Sequence, residues 1–178
     1  MHLARTKLPA LFLALASLLF SPAASADGWR LTGSGVRVKT VAFAEFQIYD
    51  IYHYVNGAVA EKSRQSVIDA DVSKKVVWTM RRDVKRATME KTLRSAFALN
   101  GYTNAGKIER FVAPFGDLKE RQKVTFTYDT DSKATTLAVE GGGAVTIAGL
   151  DFMKAVWSMW FGRSDQPSLG DQLIARLP

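Results

Sequence analysis

The chain has 178 residues, with 24 lysines and arginines against 17 aspartates and glutamates, two histidines and no cysteine. The missing cysteine excludes a disulfide framework, thiolate catalysis and cysteine-ligated metals, so stability has to come from packing. The length fits one domain of ordinary size, with a core large enough to stand without staples.

Met1 to Ala26 carries the three parts of a secretory signal: basic Arg5 and Lys7, an apolar run from Ala10 to Phe20, and Ala24-Ser25-Ala26 as a small-residue cleavage site. The apolar run falls short of the ~20 residues that a bilayer-crossing helix needs. The expectation is a bacterial export signal over 1–26, a periplasmic or secreted product, and a mature domain over 27–178 with no transmembrane segment. Without Arg5 and Lys7, 22 basic residues face 17 acidic ones, an excess of +5 spread along the chain. The densest cluster, Arg81-Arg82-Asp83-Val84-Lys85-Arg86, reads as a solvated turn ahead of a helix and receives no functional weight. Export argues against a nucleic-acid partner.

Trp29 to Leu31 and Val36 to Val41 read as strands, followed by Phe46 to Val55, with Asn56-Gly57 ending the run. Val76 to Met80 is a further buried strand. From Thr88 the period becomes helical through Met89, Leu93, Ala96 and Phe97; Thr88 offers an N-cap, and Asn100-Gly101 the stop. A second helix is marked by Ile108, Phe111, Val112 and Phe115. Lys123 to Tyr128 and Thr135 to Val139 form a hairpin around Asp129-Thr130-Asp131-Ser132. Gly141-Gly142-Gly143 is a plain turn before Val145 to Ile147, because no Lys-Ser or Lys-Thr follows it as a phosphate loop requires. Leu150 to Gly162 is apolar on nearly every face, which suits a core helix or the wall of a greasy cavity. Pro167 opens a last short helix with Leu169, Leu173, Ile174 and Leu177 on one face.

Hydrolytic apparatus is not visible. His53 is the only histidine after the signal, so a two-histidine metal site cannot form. Asp50 lies three residues away, which on a strand places it on the opposite face. Asp129 and Asp131 fall in a turn where no burial shifts a pKa.

One pair stands out. On an unbroken strand the twelve steps from Arg37 to Tyr49, at roughly 3.3 Å each, would separate them by about 40 Å. If the chain reverses near Phe43, positions whose numbers sum to about 86 face each other, and Arg37 and Tyr49 become cross-strand partners able to grip one small anion. On residue chemistry alone, a solvated Arg37 and a half-buried filler Tyr49 is the plainer account.

The resemblance to a known family reverses that preference. Gly35-Val36-Arg37 leading to Gln47-Ile48-Tyr49-Asp50-Ile51-Tyr52-His53-Tyr54-Val55, then Met80-Arg81-Arg82-Asp83-Val84, then Ala155-Val156-Trp157-Ser158-Met159-Trp160-Phe161-Gly162 with Pro167 and Leu169, resembles the chalcone isomerase-like superfamily. The resemblance spans Gly35 to the C-terminus. It implies an α+β fold, a large antiparallel β-sheet packed against a helical layer as an open-faced sandwich, with the ligand cleft between the layers. It places Arg37 on the family's cleft arginine and Tyr49 where isomerases carry a threonine and fatty-acid-binding relatives favour tyrosine. Thr88, Ser95 and Met159 fall where isomerases use a tyrosine, an asparagine and a threonine, so most of the isomerase set is unmatched. No cofactor or metal is implied. The expected function is non-catalytic binding of a small amphipathic carboxylate, such as a fatty acid, its tail among residues such as Phe97, Phe152 and Trp157. The rival is an isomerase, an intramolecular lyase acting on an enone or flavonoid-like substrate, in which Arg37 stabilises oxyanion charge and Tyr49 takes the threonine's role.

Overall fold

The computed structural model describes residues 28–178; the signal segment read over 1–26 lies outside them. Its framework is a six-stranded sheet in the order β1-β2-β3-β4-β5-β6: Arg30–Val41, Ala44–Asn56, Ser73–Met80, Lys123–Asp129, Ala134–Val139 and Ala144–Ala148. All neighbouring pairs are antiparallel. Five helices complete the α+β fold: α1 (Arg64–Asp69), α2 (Arg86–Leu99), α3 (Ala105–Val112), α4 (Leu150–Phe161) and α5 (Pro167–Leu173). No helix among the described residues is long and apolar enough to cross a membrane.

Period-two alternation decides which sheet face is covered. Tyr49, Ile51, His53 and Val55 on β2, Lys74, Val76, Trp78 and Met80 on β3, and Val124, Phe126 and Tyr128 on β4 are all buried, while the residues between them are not. The helices supply the other half of the core, with eight of the twelve residues of α4 buried, which explains why its sequence carries no polar stripe.

The sequence suggested two short strands before Val41, separated around Gly33 and Gly35. The structure has one strand, β1, and the glycines serve a different purpose. A Cβ on Gly33 would lie 2.1 Å from the Gln172 carbonyl oxygen, and one on Gly35 would lie 2.7 Å from Leu169. The glycines let α5 rest directly on the strand. A buried polar network completes this contact. The indole N–H of Trp157 donates to His53 Nε2 at 3.1 Å, so the ring proton sits on Nδ1 and is given to Thr32 Oγ1 at 2.6 Å. Thr32 passes its own proton to the Leu173 carbonyl at 2.8 Å. His53 is thus a structural residue, and burial, with Lys74 nearby, pushes its imidazole down to about 3.

Two further local readings change. Thr88 is not the N-cap of α2; the helix begins two residues earlier, with Lys85 at the cap position and no side-chain cap of its own. Asp117, far along the chain, accepts the orphan N–H of Arg86 at 3.0 Å instead. Helix α1 gave no periodic signal because six residues hold fewer than two turns. Its C-terminal carbonyls are capped by buried Lys74, which donates to Val67 at 2.6 Å and Ala70 at 2.8 Å and lies 5.2 Å from the Trp157 ring centroid.

Candidate functional site

The hairpin between β1 and β2 reverses at Ala42-Phe43, with Val41 opposite Ala44, and Arg37 pairs directly with Tyr49. Directly opposite residues on an antiparallel pair share a face, here the face covered by helices. Beneath them lies a cleft of about 1030 Å³, at the top of the usual size range of ligand sites. It exists because α2 packs on α4 and α3 rather than flat on the sheet.

All five residues singled out from the sequence line this one cleft: Arg37 and Tyr49 from the sheet, Thr88 and Ser95 from α2, and Met159 from α4. Phe97, Phe152 and Trp157 do not. They are fully buried in the core, where Phe97 and Phe152 stack at 5.9 Å and Trp157 holds His53. The apolar wall of the cleft is formed instead by residues such as Ile48, Trp78, Leu93, Trp160 and Leu169. Sequence spacing could not separate these sets, since a core aromatic and a cleft aromatic on one helix differ only in which neighbour stands off.

The floor beneath Tyr49 is rigid. Its ring stacks on Trp78 at 4.2 Å and an interplanar angle of 16°, and Trp78 meets Trp160 edge-on at 5.8 Å. Trp160 Nε1–H donates to the Tyr49 hydroxyl oxygen at 3.4 Å. An indole only donates, so the tyrosine's own proton remains free, and among the described residues no acceptor takes it. Burial pushes the Tyr49 hydroxyl up to about 12, with Arg37 acting in the opposite direction, so it stays a protonated donor at any physiological pH. The Trp78 indole N–H is buried without a partner among the described residues, a second unsatisfied donor on this floor.

Arg37 is more constrained than the sequence suggested. It is mostly buried, and its fork already donates to Asp165 at 2.6 Å and to Gln166 at 3.2 Å, both in the loop between α4 and α5. Asp165 is shared with Lys39 at 2.7 Å. Partial burial works to raise the Asp165 carboxyl, but Lys39 and Arg37 outweigh it and hold the group below the ordinary carboxylate range. Gln166 also accepts from the Val38 N–H and donates to the Val36 carbonyl, which clamps the loop onto β1.

Sequence reasoning missed Asp165 and Gln166, because nothing local to them announces a partner about 130 positions away. It also missed Thr92, which lies four residues after Thr88 and three before Ser95 and lines the cleft with them. Helical spacing alone would have added it. The basic cluster before α2 was given no role, yet Arg82 and Lys85 line the cleft, with the Arg82 guanidinium 4.8 Å from the Phe46 ring centroid. The outward face of β2 is as expected: Asp50 pairs with Arg81 at 2.8 Å, away from His53.

A sequence profile described as chalcone isomerase-like matches residues 22–173. The chain belongs to the chalcone isomerase-like family. Among solved structures, a fatty-acid binding protein of Arabidopsis thaliana is similar, with a TM-score of 0.67 over 88% of this chain and 92% of that one, at 15% identity. At that identity the likeness concerns the fold, and it agrees with the sheet and helical layer expected of a chalcone isomerase-like protein. No curated protein matches the chain by sequence.

Proposed function

We propose that this chalcone isomerase-like protein is exported and binds a small amphipathic carboxylate, with a fatty acid as the ligand class, without chemical conversion. The observation that carries the reading is the pairing of Arg37 with the free hydroxyl proton of Tyr49 at an apolar cleft. A planar charged fork and a neutral donor together suit a carboxylate head. The tail lies along Ile48, Leu93 and Leu169, each buried methylene contributing about 0.8 kcal/mol before the costs of association. In this reading the ligand head takes the place of Asp165 on Arg37, and Asp165 keeps its bond to Lys39. The fold shared with a fatty-acid binding protein supports the reading at the level of architecture.

Native mass spectrometry of the protein purified from cells, compared with folded Arg37→Ala, tests it. A co-purified acyl species in the parent and its loss from the variant is the expected result. If neither the purified protein nor the protein titrated with decanoate holds an acid, the reading fails. Turnover of a chalcone to a flavanone, lost in Arg37→Ala, would replace it with the isomerase reading.

A further inference from the structure

The last residue of β3, Met80, pairs with Tyr49, so the β1–β2 hairpin beyond Ile48 overhangs the sheet as a two-stranded ribbon. Its turn, with Ala42 at a φ of 53°, presents Phe43 to solvent with a relative exposure of 103%, and Val41 beside it at 57%. Leu99 at the end of α2 is a third large apolar side chain left in water, and both Val41 and Leu99 line the cleft. An extended phenylalanine at a hairpin tip contributes nothing to the core, so its apolar surface is available to something outside the chain.

The charges around it narrow the partner. Lys39, Arg82, Lys85, Lys91 and Arg163 all line the same cleft. Arg82, Lys91 and Arg163 have no carboxylate partner among the described residues. The acids nearby are Glu45 on the hairpin, Asp83, which is paired with Lys119, Asp117, which is paired with Lys85, and Asp165, which is paired with Arg37 and Lys39, so Arg82, Lys91 and Arg163 carry the uncompensated charge. The mouth is therefore a cationic rim around a projecting apolar tip. A stable protein interface needs about 800 Å² on each side, more than a two-residue tip supplies. Shallow insertion beside anionic headgroups needs only a few apolar side chains flanked by lysine and arginine.

We propose that the β1–β2 hairpin tip and the cationic rim dock the cleft mouth onto an anionic lipid bilayer, with Phe43 and Val41 entering the interface. The mouth thereby faces the phase from which an amphiphile partitions. This purpose rests on the carboxylate-binding reading, whereas the docking itself does not.

Partition of the purified protein into sedimented vesicles tests the proposal, comparing phosphatidylglycerol–phosphatidylethanolamine with phosphatidylcholine at low and high salt. The expected result is binding to the anionic vesicles at least about tenfold stronger than to the neutral ones, reduced by salt. Phe43→Ser should weaken it about tenfold. Lys91→Glu should reduce the anionic preference several-fold. Decanoate titration in solution separates the two readings, since Phe43 does not line the cleft and Phe43→Ser should leave acid affinity unchanged. Failure of the parent to bind vesicles, or equal binding by Phe43→Ser, overturns the proposal. So does a parent dimer that Phe43→Ser converts to monomer, because the tip would then be an interface between copies.

Discussion

Asp165 sits on Arg37 in the position that a ligand carboxylate would take, and neutralising it should tighten binding. The perturbation is Asp165→Asn, which keeps the size and removes the charge. A charge-assisted hydrogen bond of this kind is worth about 1.5–3 kcal/mol when dry. The Asp165 side chain is 49% exposed, however, and solvent screening reduces the figure to about 1 kcal/mol. An incoming carboxylate no longer has to displace that bond, so its affinity should rise about fivefold. Loss of a negative charge from the cleft acts in the same direction. Calorimetric titration with decanoate at low salt provides the measurement, beside Arg37→Ala, which should bind about 10–100-fold more weakly. On the Arg37→Ala background, Asp165→Asn should recover little, because there is no longer a fork to free. An Asp165→Asn protein with native circular dichroism but unchanged or weaker affinity would refute the idea that this aspartate competes for the arginine.

Two buried bases contribute to the pH dependence of stability. For His53 the folded value is about 3 against an ordinary 6.5, so the unfolded chain takes the proton first and stability is lost as pH falls from 6.5 towards 3. Urea titrations across that window should show a shallower loss for His53→Gln than for the parent. Lys74 is pushed down to about 7 by burial, with Asp69 and Asp71 acting in the opposite direction. The unfolded chain holds this proton up to about 10.5, so stability should climb between pH 7 and pH 10, and the climb should be missing from Lys74→Met. Equal slopes in parent and variant would remove Lys74 from this account.

The sequence by itself determined the alternation that makes the strands, the helical periods of α2 and α3, and the β1–β2 hairpin that brings Arg37 and Tyr49 towards each other. These are local facts: period two, period 3.6 and a hairpin register depend on residues near one another in the chain. The reversal near Phe43 was legible, but the turn at Ala42-Phe43 gives pairs from Val41–Ala44 to Val38–Gln47, and it is the register shift between Arg37 and Val38, which skips Ile48, that sets Tyr49 opposite Arg37. Family strings added Thr88, Ser95 and Met159, and the fold brings all three to the same cleft.

Tertiary structure decided which aromatics form the wall and which the core. Phe97 and Trp160 are both buried and both apolar, yet only Trp160 reaches the cleft, because the stand-off of α2 is a property of how three helices share the sheet face. It decided that Arg37 carries an internal carboxylate, an ion pair closed across 128 positions. It decided the role of Gly33 and Gly35, which read as a break in a strand but are where α5 comes to rest. It also turned a basic turn into the rim of a cleft mouth. Each depends on segments remote in sequence meeting in space, and neither charge nor periodicity in a single segment records who its partner will be.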